Sequence, residues 1–403
     1  MANDDFTGFE PELRLFLSAD IVGSTAFKQL TRRCGNANDS SLRGKVPVES
    51  WVYVISGFFR EFSADFQRKW ARIKQDLPEN WSSVVNTEPK FWKGRGDEIL
   101  YSARLTDPRE ALALIRAWIE TIQEQRLNFQ KREDEAVLDI KGSAWVAGFP
   151  INNAFVCFEN NFGNISENSI DPNDDPVISA FNLYEKIHNG DEPQGIVDYI
   201  GPSIDTGFRI ATLATPRKFI ISVDLAYLVA YAALDIKSTY QGSISKPKIY
   251  FDGRVSLKGV TGGNAYPCFW LDTGTGDRLN IHEDKLLNLH PVTHEMVRDF
   301  CDEYFRSSSH RFVMRPFIKD CKFGHFDSVP SVHNGLMEQL NNYLTAEYCK
   351  RTKETSDIKH EDSNDMTDSV VTTNMDSETS VPETIILFLD NLAKIHQGEG
   401  KTD

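Results

Sequence analysis

Apolar positions along this chain change rhythm several times, and each rhythm predicts an element. Leu15 to Leu17 form an apolar run that ends in a carboxylate at Asp20, with Gly23, Ser24 and Thr25 directly after it. Alternation of this kind reads as a buried strand. Gly-Ser-Thr reads as a tight turn feeding a short helix that continues over 26–33. A polar stretch, 34–47, leads to Pro47, and from Val48 to Gln75 the period becomes helical through Trp51, Val54, Ile55, Phe58, Phe59, Phe62, Phe66 and Trp70. Those rings belong to the core by default, with Trp51 and Tyr53 as the two that would wall a ligand pocket.

The pattern then predicts a hairpin over 88–105 around Gly-Arg-Gly, and a helix capped by Asp107-Pro108 that runs through Leu114, Trp118 and Ile122. Leu138 to Gly148 alternates like an edge or half-buried strand, whereas 150–176, rich in Asn, Asp and Gly, reads as an inserted loop before a short helix near 178–188. Residues 197–213 read as strand, Gly-Pro turn and helix. A strand at 217–223, a helix at 224–234 and a hairpin of 247–252 and 255–272 complete the set. This order predicts an α+β fold, a mixed sheet with helices packed on one side. Beyond it come a helical C-terminal region over 282–350, an acidic disordered linker at 352–381, and a short amphipathic helix near 383–396 within a tail at 383–403.

Composition narrows the function classes. With 403 residues, 40% of them hydrophobic, the chain has material for one large domain and a smaller one. A net charge of −15 argues against a basic nucleic-acid-binding face. No apolar run approaches the length that crosses a bilayer, the longest late one being Ile385 to Leu389, and the acidic start does not read as a leader peptide, so no membrane partner is expected. Six scattered cysteines without a C-x-x-C pair read as free thiols in a reducing cytoplasm.

The candidate chemistry lies where strands meet glycine turns. The turn after Asp20 directs free N–H groups and the positive end of a helix dipole at whatever sits above it, which suits a polyphosphate. Asp97 follows a second glycine turn, and an antiparallel pairing brings it to Asp20. Two carboxylates over such a turn fit two-metal phosphoryl chemistry, and they equally fit an acidic N-cap and a solvated turn aspartate. Two further clusters are weaker. His290 and His294 have helical spacing broken by Pro291, and Cys321, His325 and Cys301 lack a fourth ligand.

Four segments in order resemble the class III nucleotidyl cyclases: FLSADIVGSTAF, KGRGDEIL, VDYIGPSIDTGFRIA and LKGV, spread over residues 10–273. The resemblance implies that family's ferredoxin-like (βαββαβ-derived) sheet in a catalytic domain at 10–273. It further implies that Asp20 and Asp97, with the Ile21 carbonyl, hold two Mn²⁺ or Mg²⁺ ions per site. By the same carry-over, Val22, Gly23, Ser24 and Thr25 hold phosphates and Lys93 contacts the base, with Asp198 at or beside the second base-reading position. Arg209 would stabilise the α-phosphate and Lys258 grip the triphosphate. Two chains paired head to tail would share two equivalent sites.

Asp205 departs from the family, which usually carries Asn there. It lies one helical turn before Arg209 and repels a nucleotide unless paired or protonated. Gly207 and Phe208 replace the small residues common in purine cyclases, and Arg95 is either a surface turn residue or a two-bond donor to a pyrimidine carbonyl. The pattern looks most like the bacterial pyrimidine cyclases of the Pycsar antiphage system. It implies a cytoplasmic enzyme that makes cyclic UMP, or cyclic CMP, from UTP or CTP for a separate effector. The alternatives are a purine cyclase and a degenerate nucleotide-binding sensor.

Overall fold

A computed structural model describes residues 10–30, 50–131, 137–158, 195–274, 277–308, 313–323, 325–331, 333–343 and a few positions at 180–190 and 345–346. The expectations for 34–47, 352–381 and 383–403 lie outside the described residues. The chain divides into two units, Met1–Asn341 and Asn342–Asp403, and every element below belongs to the first.

The strands are β1 (Glu12–Val22), β2 (Lys90–Arg95), β3 (Glu98–Leu105), β4 (Asp139–Phe149), β5 (Ala154–Phe158), β6 (Ile196–Ile200), β7 (Lys218–Ile221), β8 (Ile249–Val255) and β9 (Tyr266–Asp272). The helices are α1 (Ser24–Leu30), α2 (Ser50–Gln75), α3 (Glu79–Ser82), α4 (Pro108–Gln130), α5 (Pro202–Ala211), α6 (Val223–Asp235), α7 (Arg278–Leu287) and α8 (His294–Ser307). Seven strands form one sheet in the order β2-β3-β1-β4-β7-β9-β8, with β4–β7 its parallel pair. The fold is α+β with a mostly antiparallel mixed sheet, as the pattern predicts.

Strand alternation sends side chains to two different layers. Leu17 lies opposite Tyr101, and Tyr101 meets Trp118 of α4 and Phe66 of α2, so this face carries the helical layer. Phe62, Phe66 and Trp118 are fully buried there, which is why the aromatic stripe of α2 is core. Trp51 and Tyr53 are half-buried and line neither cleft described below. The residue before Leu17, Phe16, points the other way, stacking on Trp145 at 5.6 Å and meeting Trp92 and Tyr199. That second face is covered by α5, whose Phe208 sits 5.4 Å from Trp145, and by the β5–β6 pair.

Three local expectations change. β4 is no edge strand, because it lies between β1 and β7 and is buried along most of its length. Its small residues disguise this: a Cβ on Gly142 would stand 2.8 Å from both Ile122 and Phe219, so neighbours supply the bulk. Ala154–Phe158, within the expected loop, is a strand that pairs with β6 in a separate two-stranded sheet. The stretch 255–272 is two elements, since β8 ends at Val255 and β9 begins at Tyr266. The loop between them carries Lys258.

Candidate active site

Two adjoining clefts open on the α5 face and hold Asp20, Asp97, Lys93, Arg95, Asp205, Arg209 and Lys258, while Ser24 and Asp198 line neither. The smaller, about 290 Å³, is lined by Asp20, Asp97, Glu98 and Lys141 with Ser18 and Ser143. Asp20 near the end of β1 lies directly opposite Glu98 of β3 and Lys141 of β4, so register places all three side chains on one face. The Lys141 ammonium stands 3.2 Å from the Asp20 carboxylate. Burial pushes the Asp20 carboxyl above its ordinary range, Lys141 works against that, and the charge of Asp97 adds to it. Glu98 is pushed up by burial in the same way, opposed by the Ser18 hydroxyl that donates to it at 2.6 Å and reinforced by the charge of Asp20.

Asp97 sits in the Gly96–Asp97 turn, where Gly96 has φ +69. Ser24, the first residue of α1, donates its hydroxyl to the Asp97 carboxylate, and Lys28 one turn on lies 3.8 Å away. The two glycine turns are therefore tied together by side chains. Gly23 has φ +86, a conformation that favours glycine. Ile21 is buried, Gly23 and Thr25 are exposed, and Val22 pairs with Asp139 in the sheet; none of them lines either cleft.

The larger cleft, about 960 Å³, gathers Lys93, Arg95, Asp205, Arg209 and Lys258 around Phe208. Lys93 donates to both oxygens of Asp198 at 2.7 and 2.8 Å, and the Trp92 indole donates to the same carboxylate at 3.0 Å. The ammonium of Lys93 lies 4.3 Å from the Trp92 ring, a cation–π contact that fixes its direction. Lys93 and Asp198, distant in sequence, thus form one unit. Asp205 and Arg209 share a face of α5 and are both exposed to the cleft, yet among the described residues they make no ion pair with each other. The Arg209 guanidinium is thereby left facing the cleft.

Arg95, Phe208 and Thr212 line both clefts. Arg95 lies 5.3 Å over the Phe208 ring and 3.9 Å from Glu98. It is both surface-exposed and a cleft residue, so its two readings are not exclusive. Glu98 and Lys141 had not been picked out in sequence. The signal for Glu98 was its place opposite Asp20 once β1 and β3 are paired; Lys141 needed the second pairing, to β4.

The weaker clusters do not assemble. Among the described residues no group of three or more His, Cys, Asp or Glu is placed to hold a metal. His294 bonds the Pro247 carbonyl, His290 bonds Asn288, His325 stacks on Tyr231, and the Cys301 thiol reaches the Val223 carbonyl. No described helix is long and apolar enough to cross a membrane.

No family model matches the sequence, and no curated protein does. Among solved structures, the chain is similar to the adenylyl cyclase CyaB from P. aeruginosa, at 11% identity over 65% of this chain and 94% of that one, with a TM-score of 0.39. It is also similar to the guanylyl cyclase Cya2, at 11% identity over 68% and 98% with a TM-score of 0.37. A third is the guanylate cyclase domain of RhGC from Catenaria anguillulae, at 10% identity over 65% and 98% with a TM-score of 0.36. Scores of this size leave the chemistry to be argued from the side chains.

Proposed function

We propose that the protein is a nucleotidyl cyclase that converts a pyrimidine nucleoside triphosphate, UTP ahead of CTP, to its 3′,5′-cyclic monophosphate and pyrophosphate. The observation that carries the reading is the placing of the candidates: Asp20 from the end of β1 and Asp97 from a turn in one cleft, and Lys93, Arg209 and Lys258 in the other. A reaction in which a triphosphate is held, polarised and cleaved needs both sets.

Asp20 at the end of β1 and Asp97 in its turn offer hard oxygen donors, and the resemblance adds the Ile21 carbonyl as a third. A pair of carboxylates completed by substrate phosphates and water is the donor set that Mg²⁺ and Mn²⁺ take. Two such ions bound there would supply Lewis acidity toward the phosphates and make the attacking hydroxyl more acidic. The chain's own groups do the rest. Lys93 lines the cleft and presents a donor to a base, held in place by Asp198 behind it. Arg209, which has no acidic partner among the described residues, meets the charge that develops on the α-phosphate as the 3′-oxygen bonds to phosphorus and the bond to pyrophosphate breaks. Lys258 on its loop holds the departing phosphates. The pyrimidine preference rests on Arg95, a long rigid donor carried on Phe208, which suits a base too small to reach short side chains.

Within one chain Asp20 and Asp97 line one cleft and Lys93, Arg209 and Lys258 line the other. Two chains set head to tail would bring the carboxylates of one against the cations of the other, giving two shared sites in a homodimer. On the resemblance of its motifs, the cyclic product acts on a separate effector in antiphage defence.

Incubating the purified protein with each of the four nucleoside triphosphates and Mn²⁺ is the direct test. A cyclic pyrimidine product is expected, lost by a factor of at least about a hundred in Asp20→Ala and in Arg209→Ala. No cyclic product from any of the four would end the cyclase reading, and a purine product would end the pyrimidine one.

A further inference from the structure

The larger cleft is not built from the 10–273 region alone. Phe305 of α8 and Val313 and Met314 beyond it also line the cleft. Resting on the nucleotide reading above, we infer that these three side chains form an apolar wall against the nucleoside half of the substrate. The C-terminal region is then part of the binding site.

The wall is fixed from behind. The Cys301 thiol of α8 reaches the Val223 carbonyl of α6 at 3.6 Å, and Phe300 packs against Phe251 and Phe269 of the β8–β9 pair. Asp302 accepts the Tyr227 hydroxyl at 2.7 Å and also takes Arg315, whose guanidinium turns away from the cleft to lie 5.9 Å over the Tyr227 ring. On the other side the Asn152 amide reaches the Met314 sulfur at 3.6 Å. Asn152 on one side and Asp302 on the other thus hold Met314 and the adjoining Arg315.

Its chemistry selects the uncharged end of a nucleotide. None of the three carries charge, and Arg315, the cation next in sequence, is turned to Asp302. Asp205 and Asp224 both line the cleft, and Asp224 is next to Val223, which is tied to α8. Phosphates are repelled by a carboxylate and gain nothing from a thioether or a phenyl ring, while a base or ribose loses water against such a surface. The cations Arg209 and Lys258 remain for the phosphates.

Isothermal titration tests the wall without requiring turnover. The probes are 3′-deoxynucleoside triphosphates, which lack the attacking hydroxyl, and inorganic tripolyphosphate, each with Mn²⁺. Met314→Ala is expected to weaken the 3′-deoxynucleotides about tenfold, the worth of one or two lost apolar contacts. Met314→Trp, which fills the cleft, is expected to abolish their binding, and both variants should keep the wild-type affinity for tripolyphosphate. Arg306→Ala, an exposed α8 change that loses only a contact to Glu303, should bind as wild type. Unchanged 3′-deoxynucleotide binding in both Met314 variants, or equal loss of tripolyphosphate, overturns the inference. If Met314 governs nucleotide binding but wild type forms no cyclic product, the cyclase reading fails and the wall stands. Product without any response to Met314 is the converse.

Discussion

At the scale of single residues, two buried titratable groups pull stability in opposite directions across one pH window. Asp224, at the start of α6, has its carboxyl pushed up by burial from 3.8 to about 6. The folded chain therefore keeps a proton there that the unfolded chain has lost. That contribution is complete below about pH 4 and disappears as pH rises through about 6, a swing of about 3 kcal/mol. His333 is the reverse, since burial pulls its imidazole from 6.5 down to about 4, and beside Phe317 neither ring nitrogen has a hydrogen-bond partner among the described residues. Its folded form refuses a proton, so stability is complete above about pH 6.5 and falls toward pH 4 by a similar amount. The slopes of these two groups oppose each other between the two values, and single variants separate them. Asp224→Asn should gain at pH 7.5 and lose that advantage by pH 4, whereas the advantage of His333→Leu should grow as pH falls below 6.5. Urea midpoints measured across the range check both.

At the scale of elements, the placing of α5 on the sheet decides what the site can be. This helix carries Asp205, Phe208 and Arg209, and its close approach depends on Gly207. A Cβ there would stand 2.2 Å from the Trp145 ring, closer than packing permits. The glycine that departs from the purine cyclase pattern is thus explained by a tryptophan on β4 and needs no role in base choice. Gly207→Ala should cost about 1–3 kcal/mol by overpacking. It should also lift Phe208 off Trp145, so urea unfolding reports the first effect and tryptophan fluorescence the second. The β8–β9 loop and α8 serve the same cleft from its far side, the first bringing Lys258 and the second Phe305.

At the scale of the whole molecule, the question is how the cleft of Asp20 and Asp97 and the cleft of Arg209 and Lys258 become one site. The head-to-tail arrangement makes a sharp prediction. Asp20→Ala and Arg209→Ala chains, each inactive alone, should recover activity when mixed and allowed to exchange subunits. Half of the dimers would be mixed, each with one intact site, so about a quarter of wild-type activity is expected. Cyclase assays on the mixture, with sedimentation to verify the dimer, check this. No recovery in a proven mixed dimer would place all the residues of a site on one chain.

Local letters were enough for much of this protein. Apolar periodicity located β1, α2, α4 and the 88–105 hairpin, because helix and strand periods are properties of short stretches. Glycine turns beside acidic residues marked Asp20 and Asp97 for the same reason. What sequence could not contain was registry between distant strands. The β1–β3 and β1–β4 pairings decided that Glu98 and Lys141 face Asp20, and the approach of β6 to β2 decided that Asp198 holds Lys93. The buried status of β4 was hidden because its small residues borrow bulk from α4 and β7, and β5 because five apolar residues among asparagines make a weak signal. Nor could periodicity reveal that Phe305, Val313 and Met314 line the same cleft as Lys93. Those placements belong to tertiary packing, where the position of a side chain is set by neighbours a hundred or more residues away.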